Sequence, residues 1–289
     1  MNSFSLTFKA GAGALAAVRR HGFDVASIGT LAGASGGPKW LVLSQLDRAI
    51  MQSIVPGLTG PVHLIGSSIG SWRFACYAQA DPLAAIERFE AAYLAQSYSE
   101  KPDIHEISRV SREILAQVLG TDGVAEILGN PVLRTHIMAV RSRHILASEN
   151  RGVLALGLVT AALLNAVSRS TLGWFFERAL FYDQRDTPPF FDVEAGYGRI
   201  VPGWFDKKLR WRRPQVGNVD RTILISPSDE FVSKLPNGKI PDRTDFVNYE
   251  PAERIRIWRR CIADCRALAD EFLEVIEKDQ LAARLEPLW

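Results

Sequence analysis

Residues 62–70 read VHLIGSSIG, and this segment decides the fold class of the chain. A short strand-like run at 62–65 leads directly into the pattern Gly66-x-Ser68-x-Gly70, and a helical stretch follows to about residue 80. A glycine turn between a short apolar run and a helix is typical of α/β folds. The segment therefore predicts a strand, a tight turn and a helix in succession.

The preceding segment repeats this succession. Residues 25–32 (VASIGTLA) form another strand-like run, the glycine-rich stretch 33–37 follows, and residues 39–54 carry apolar side chains at helical spacing. Strand–turn–helix units in tandem favour parallel strands. We expect an α/β fold in which a largely parallel sheet is flanked by helices, in one domain covering residues 1–289.

The rest of the chain is predicted to be mainly helical. The apolar spacing predicts helices at about 82–97, 103–119, 121–129 and 153–180, strands at 134–141 and 222–225, an irregular stretch at 183–218, and a long closing helix at 251–278. Residues 1–17 have no basic region ahead of an apolar core, so no signal peptide is predicted.

The composition is that of an ordinary globular protein. Of 289 residues, 47% are hydrophobic and 23% are charged, and 34 basic residues stand against 32 acidic ones. This near-neutral balance gives no argument for a nucleic-acid partner. The cysteines Cys76, Cys261 and Cys265 are too few for a disulfide framework, which favours a reducing compartment and predicts a cytoplasmic location. No cluster of metal ligands stands out, and we expect no cofactor.

Two segments each allow two interpretations. The most apolar stretch, residues 152–167, is shorter than the ~20 residues of a spanning helix, and we expect a buried core helix there rather than a lipid-facing surface helix. Residues 207–213 (KKLRWRR) hold five basic residues and Trp211. We favour a solvated loop with Trp211 packed on the domain, and peripheral contact with anionic lipid is the alternative.

Ser68 is the candidate nucleophile. Glycines at 66 and 70 allow a turn too tight for side chains, and such a turn lifts the Ser68 hydroxyl clear of the sheet at the start of a helix. There the helix dipole favours developing negative charge. The alternative is a serine that only caps the helix.

A second glycine turn, Gly36-Gly37-Pro38-Lys39, is the candidate oxyanion hole. Adjacent glycines can aim backbone N–H groups at one point, and Lys39 adds positive charge nearby. A phosphate-binding loop fits less well. Pro38 lacks the N–H of the glycine that such a loop needs, and Trp40 stands where a hydroxyl would bind magnesium.

The base that would activate Ser68 is harder to find. A Ser–Asp/Glu–His order needs a late histidine, yet the last histidine is His144. His105, His136 and His144 follow Ser68, and each is better explained as a surface or cap residue. A dyad of Ser68 with a carboxylate is therefore the better hypothesis, and a triad with one of these histidines is the alternative.

Together the two glycine turns resemble those of the patatin-like phospholipase family. Similarity to a bacterial branch of that family extends to residues 201–207 (VPGWFDK), 211–213 (WRR) and 235–246 (LPNGKIPDRTDF). The resemblance implies a three-layer α/β fold and hydrolysis of a lipid or other carboxylic ester. It implies Ser68 as nucleophile and Gly36, Gly37 and Lys39 around the oxyanion.

The resemblance also implies a base aspartate in a D-G-G or D-G-A motif, which this chain lacks. Its Asp122-Gly123 pair lies in a predicted helical region and is interpreted as a turn. The motif would be expected between residue 191 and Pro202, where only a short junction containing Asp192 remains. We hypothesise an internal deletion.

Substitute carboxylates are equally hard to assign, because each is better explained as a turn or surface residue: Asp183, Asp186, Asp192, Asp242 and Asp245. The leading functional hypothesis is a serine acyl hydrolase. The alternative is a catalytically impaired relative that at most binds lipid.

Overall fold

The described residues of the computed structural model are 4–182, 185, 194–196, 199–201, 204–206, 209, 211–213 and 216–288. In chain order the strands are β1 (Leu6–Ala10), β2 (Thr30–Gly33), β3 (Val62–Ser67), β4 (Leu133–Ser142), β5 (Phe176–Phe181), β6 (Glu194–Gly196), β7 (Arg199–Val201), β8 (Ile223–Pro227) and β9 (Leu285–Pro287). The α-helices are α1 (Ala12–His21), α2 (Ser44–Ser53), α3 (Ile69–Tyr77), α4 (Pro82–Ala95), α5 (Ile104–Leu119), α6 (Gly123–Gly129), α7 (Arg151–Val167), α8 (Val216–Val219), α9 (Asp229–Lys234), α10 (Asp245–Asn248), α11 (Pro251–Asp264), α12 (Arg266–Glu277) and α13 (Leu281–Arg284).

The predicted strand–turn–helix units lie in a four-stranded sheet of order β2-β3-β4-β5. β2, β3 and β4 are parallel, whereas β5 pairs antiparallel with β4 at the edge. In the register, Gly33 at the end of β2 lies opposite Gly66 near the end of β3. Both glycine turns therefore leave the same edge of the sheet, side by side.

A second sheet, of order β8-β1-β9, was not predicted. β1 pairs antiparallel with β8 and parallel with β9, so the early and late parts of the chain meet in it. β1 alternates as a half-buried strand should, with Leu6, Phe8 and Ala10 buried. The expectation of one largely parallel sheet is thus corrected to two mixed sheets flanked by helices.

Several element boundaries depart from the sequence-based expectations. The predicted helical region 153–180 ends its α-helix at Val167, continues as a 3₁₀ helix at Arg169–Trp174, and then becomes strand β5. The closing helix is interrupted at Cys265, which separates α11 from α12. α4, α5 and β4 lie close to their predicted positions.

The prediction of a buried core helix at 152–167 is wrong. In α7 only Gly157, Ala161 and Asn165 are buried, while Leu156 and Leu163 are 62% and 66% exposed. The fully buried positions carry small or polar side chains, and Leu154, Leu158 and Leu164 are only half-buried. Among the described residues, no helix is both long enough and apolar enough to cross a bilayer.

The core beneath the Gly36-Gly37 turn is aromatic. Trp40 stacks on Phe89 with ring centroids 4.2 Å apart, and Tyr93 contacts both of them edge-on. Trp258 of α11 stacks on Tyr93 at 6.3 Å. Because Trp40 lies in the 3₁₀ helix Gly37–Leu43, this packing fixes the loop that carries Gly36 and Gly37.

Candidate functional site

Ser68 occupies the sharp turn between β3 and α3 in a strained backbone conformation. Its φ is 53° and its ψ is −123°, a combination that L-residues rarely adopt. The residue is exposed, and its side chain makes no hydrogen bond to the first turn of α3. The alternative role of Ser68 as a helix-capping side chain is therefore not seen in this geometry.

Gly66 and Gly70 are required by close backbone contacts on either side of Ser68. A Cβ added to Gly66 would lie 2.4 Å from the Ser71 amide nitrogen. A Cβ added to Gly70 would lie 2.2 Å from the Gly33 carbonyl oxygen. Side chains are excluded at both positions, as the sequence pattern predicts.

The second glycine turn lies against the first. Gly37 has a positive φ of 57°, and Gly36 precedes it at the start of the 3₁₀ helix. In the described part of the chain, the amides of Gly36 and Gly37 donate no hydrogen bond to another backbone group, which leaves both N–H groups available to an oxyanion. The exposed Lys39 packs its side chain over Gly36, since a Cβ at Gly36 would lie 3.3 Å from Lys39 Cβ.

Arg243 is a site residue that the sequence did not suggest. Its Nε would lie 3.3 Å from a Cβ built on Gly37, so the guanidinium group of Arg243 borders the candidate oxyanion turn. Burial raises the pKa of the neighbouring Tyr93 phenol, and the positive charge of Arg243 acts in the opposite direction. About 200 residues separate Arg243 from Gly37, and no local motif marks it.

The segment that carries Arg243 is held by a buried carboxylate. Asp245 accepts hydrogen bonds from Trp258 Nε1 at 2.8 Å and from Lys239 Nζ at 2.6 Å. The Asp242 amide donates to the same carboxylate at 3.2 Å. Asp245 is therefore a buried structural residue, which corrects its interpretation as a turn or surface residue.

Asp242 is also engaged locally. Partial burial raises the pKa of its carboxyl, but hydrogen bonds from the Thr244 hydroxyl and amide, together with Lys239, outweigh burial and leave the pKa lowered. Asp122 precedes α6, where its carboxylate accepts a 3.0 Å bond from Thr121. Asp183, Asp186 and Asp192 lie outside the described residues.

The histidines of the triad alternative are placed elsewhere. His136 is fully buried in β4, and its Nε2 lies 2.9 Å from Nδ1 of His63. His105 is exposed in the first turn of α5, and His144 is exposed in a 3₁₀ helix after β4. Within the residues that the structure describes, no hydrogen bond joins the Ser68 hydroxyl to an imidazole or a carboxylate.

A buried ion pair fixes the helix that follows Ser68. Arg73 of α3 donates to both oxygens of Asp47 in α2, at 2.7 and 2.5 Å, and the Tyr77 hydroxyl donates to Asp47 at 2.8 Å. Burial lowers the pKa of Arg73, but attraction to Asp47 outweighs it and raises the pKa overall. The ion pair anchors α3, and with it the turn that carries Ser68, to α2.

The site is open to solvent at Ser68 and Lys39. A surface cavity of about 320 Å³ lies instead against the second sheet, lined by residues such as Phe4, Phe231 and Asp264. Comparison of the chain with protein-family models, with curated proteins and with solved structures finds no match in any of the three. The geometry of the two glycine turns is therefore the basis for assigning a function to this chain.

Proposed function

We propose that this chain is a serine acyl hydrolase of the patatin-like type that cleaves a lipid or another carboxylic ester. The observation that carries the proposal is the strained conformation of Ser68, φ 53° and ψ −123°, between glycines that tolerate no side chain. Strain of this kind costs about 1–3 kcal/mol, and it clusters at functional sites. A serine on a sharp strand-to-helix turn, with a hydroxyl that caps nothing, fits a nucleophile better than a structural residue.

The proposed chemistry uses the two turns together. Ser68 Oγ attacks the acyl carbonyl carbon while a carboxylate base accepts its proton, and the carbonyl oxygen becomes negatively charged. The ester C–O bond then breaks, and the same proton passes to the departing alcohol as the acyl-enzyme forms. The amides of Gly36 and Gly37 donate hydrogen bonds to that oxygen, and the positive charges of Lys39 and Arg243 stabilise it further. Water then attacks the acyl-enzyme and releases the carboxylic acid.

The three-layer patatin-like architecture is part of the same proposal. The parallel strands β2, β3 and β4, with both glycine turns at one edge, support it. The antiparallel edge strand β5 and the separate sheet around β1 are features that the proposed relationship must accommodate. A deletion between residues 191 and 202 belongs to the same proposal, and it would explain why the chain lacks the D-G-G or D-G-A motif.

Labelling with a fluorophosphonate probe tests the proposal. We expect the purified full chain to react covalently, and the Ser68→Ala variant, folded by circular dichroism, not to react. Substitution of candidate bases one at a time, Asp183→Asn, Asp186→Asn and Asp192→Asn, then identifies the proton acceptor as the variant with the greatest loss of labelling rate. Equal labelling of wild type and Ser68→Ala would refute the assignment of Ser68.

The second candidate is a catalytically impaired relative of these enzymes that lacks the base aspartate and at most binds lipid. It is favoured by the placement of the described carboxylates, because Asp245 and Asp242 are both engaged in the segment around Arg243. Removal of a base from a nucleophile lowers its rate by several orders of magnitude. Absence of labelling in the folded wild-type chain would establish this second function in place of the first.

A further inference from the structure

Helix α7 presents an apolar stripe to the outside of the molecule. Its large apolar side chains recur every three or four residues and therefore share one face, and they are 39–86% exposed: Val153, Leu156, Val159, Leu163 and Val167. The stripe lies opposite the buried Gly157, Ala161 and Asn165, on the side where an ordinary surface helix carries polar residues.

The orientation of α7 is fixed by its inner face. Asn165 is fully buried and donates to Asp206 Oδ1 at 2.9 Å, and Arg212 donates to the Asn165 carbonyl oxygen at 2.6 Å. Gly157 allows contact with Leu146, because a Cβ there would lie 2.5 Å from Leu146 Cδ2. Rotation of the helix to bury its leucines would break these bonds and remove the amide partner of Asp206, a buried carboxylate.

Exposed tryptophans lie near the C-terminal end of this stripe. Trp174 ends the 3₁₀ helix that follows α7 and is 65% exposed. Trp211 is the neighbour in sequence of Arg212, which donates a hydrogen bond to α7. The Trp211 side chain is 69% exposed, so the expectation that it packs on the domain is wrong. Tryptophan side chains are enriched where a protein meets the boundary between lipid tails and head groups.

Arginine side chains lie at the same end of α7. Arg169 and Arg212 each lie 3.4 Å from an oxygen of the buried Asp206, and Arg213 beside them is exposed. The surrounding sequence run 207–213 contains five basic residues. A positive margin beside an apolar stripe complements an anionic membrane surface, since each nearby lysine or arginine adds to the attraction of the negative head groups.

We propose that the outer face of α7, with Trp174 and Trp211, docks onto an anionic lipid bilayer. The helix lies in the plane of the interface, because its inner face remains packed on the protein through Gly157, Ala161 and Asn165. Leu156 and Leu163 of the stripe enter the region of the acyl chains, and the exposed Arg213 contacts head-group phosphates. This docking does not require Ser68 chemistry, so it stands or falls separately from the proposed hydrolase.

Co-sedimentation of the full chain with vesicles tests the docking surface. We expect binding to vesicles of phosphatidylcholine and phosphatidylserine, much weaker binding to phosphatidylcholine alone, and loss of binding in about 0.5 M salt. Leu163→Glu should lower the partition coefficient at least about tenfold, since it removes a leucine from the lipid and adds a negative charge. The Ser68→Ala variant should bind as wild type does.

Leu128→Glu is the matched control, because Leu128 is 61% exposed on α6 and outside the stripe. Both leucines are exposed, so both variants are expected to fold, and circular dichroism checks this. Equal binding by Leu163→Glu and wild type overturns the proposal, as does a folded wild-type chain that binds neither kind of vesicle. A stable dimer that Leu163→Glu converts to monomer overturns it as well, since the stripe would then bind a second copy.

Discussion

Gly70 lies so close to Gly33 that a Cβ added to Gly70 would come within 2.2 Å of the Gly33 carbonyl oxygen. The obstacle is backbone, which cannot move aside as the end of a flexible side chain would. The contact joins the helix after Ser68 to the strand that leads into Gly36 and Gly37. The turn that carries Ser68 and the turn that carries Gly36 and Gly37 are therefore held in a fixed position relative to each other.

Gly70→Ala should therefore lower the free energy of unfolding by about 1–3 kcal/mol, the usual cost of overpacking. Gly60→Ala is the control, because a Cβ at Gly60 meets nothing within 4 Å and should change stability by less than about 0.5 kcal/mol. Urea unfolding followed by circular dichroism measures both. Equal stability of the two variants would contradict the close contact.

Substitution of Ser68 should reveal the backbone strain at this position as a difference in stability between the glycine and alanine variants. Glycine adopts a positive φ at little cost, whereas alanine keeps the Cβ that opposes it. We expect Ser68→Gly to exceed Ser68→Ala in free energy of unfolding by about 1 kcal/mol. At Ser111, inside α5, the order should reverse, with glycine about 1 kcal/mol below alanine. The same order at both sites would show that Ser68 is not strained.

Arg243 should contribute to reaction at Ser68 through its charge. Arg243→Gln keeps much of the side-chain length but removes the positive charge beside Gly37. We expect the second-order rate constant of fluorophosphonate labelling to fall about tenfold, which corresponds to about 1.4 kcal/mol of transition-state stabilisation. Arg256→Gln is the control, since the Arg256 side chain is 79% exposed on α11. Equal labelling rate constants for Arg243→Gln and Arg256→Gln would show that the charge of Arg243 does not contribute to the reaction at Ser68.

The buried carboxylate of Asp47 should be indispensable for stability. Asp47→Ala leaves the guanidinium of Arg73 and the hydroxyl of Tyr77 without their partner, and loss of one member of a buried pair costs about 3–5 kcal/mol. Glu113→Ala breaks the exposed pair with Arg109 and should cost at most about 0.5 kcal/mol. Thermal and urea unfolding compare the two variants. A small loss for Asp47→Ala would mean that Arg73 finds another partner.

The strand–turn–helix context of Ser68 could be predicted because it depends on neighbours in sequence. Gly66 and Gly70 act within two residues of Ser68, and the apolar run that precedes them is local as well. The parallel pairing of β2 with β3 follows from two such units in tandem. These parts of the fold and of the candidate site therefore needed no information from distant residues.

Features that depend on distant residues could not be predicted. The composition of α7 suits burial, but its orientation is decided by Asn165 and Asp206, whose side chains meet across 41 positions of sequence. β5 was expected to be helical, and it forms a strand because the edge of β4 accepts it. Arg243 reaches Gly37 only because Asp245 and Trp258 hold its segment in place.

The central position of β1 in its sheet has a consequence for synthesis on the ribosome. Its partner β8 emerges about 220 residues after β1, and β9 about 280 residues after it. At ordinary rates of translation these delays are on the order of ten to sixty seconds. During that interval Leu6 and Phe8, which are buried in the folded protein, lack the strands that pair with β1. The half of the chain around Ser68 can form its own strands in that time, so closure of the β1 sheet is expected to be the last step of folding and the one most dependent on chaperones.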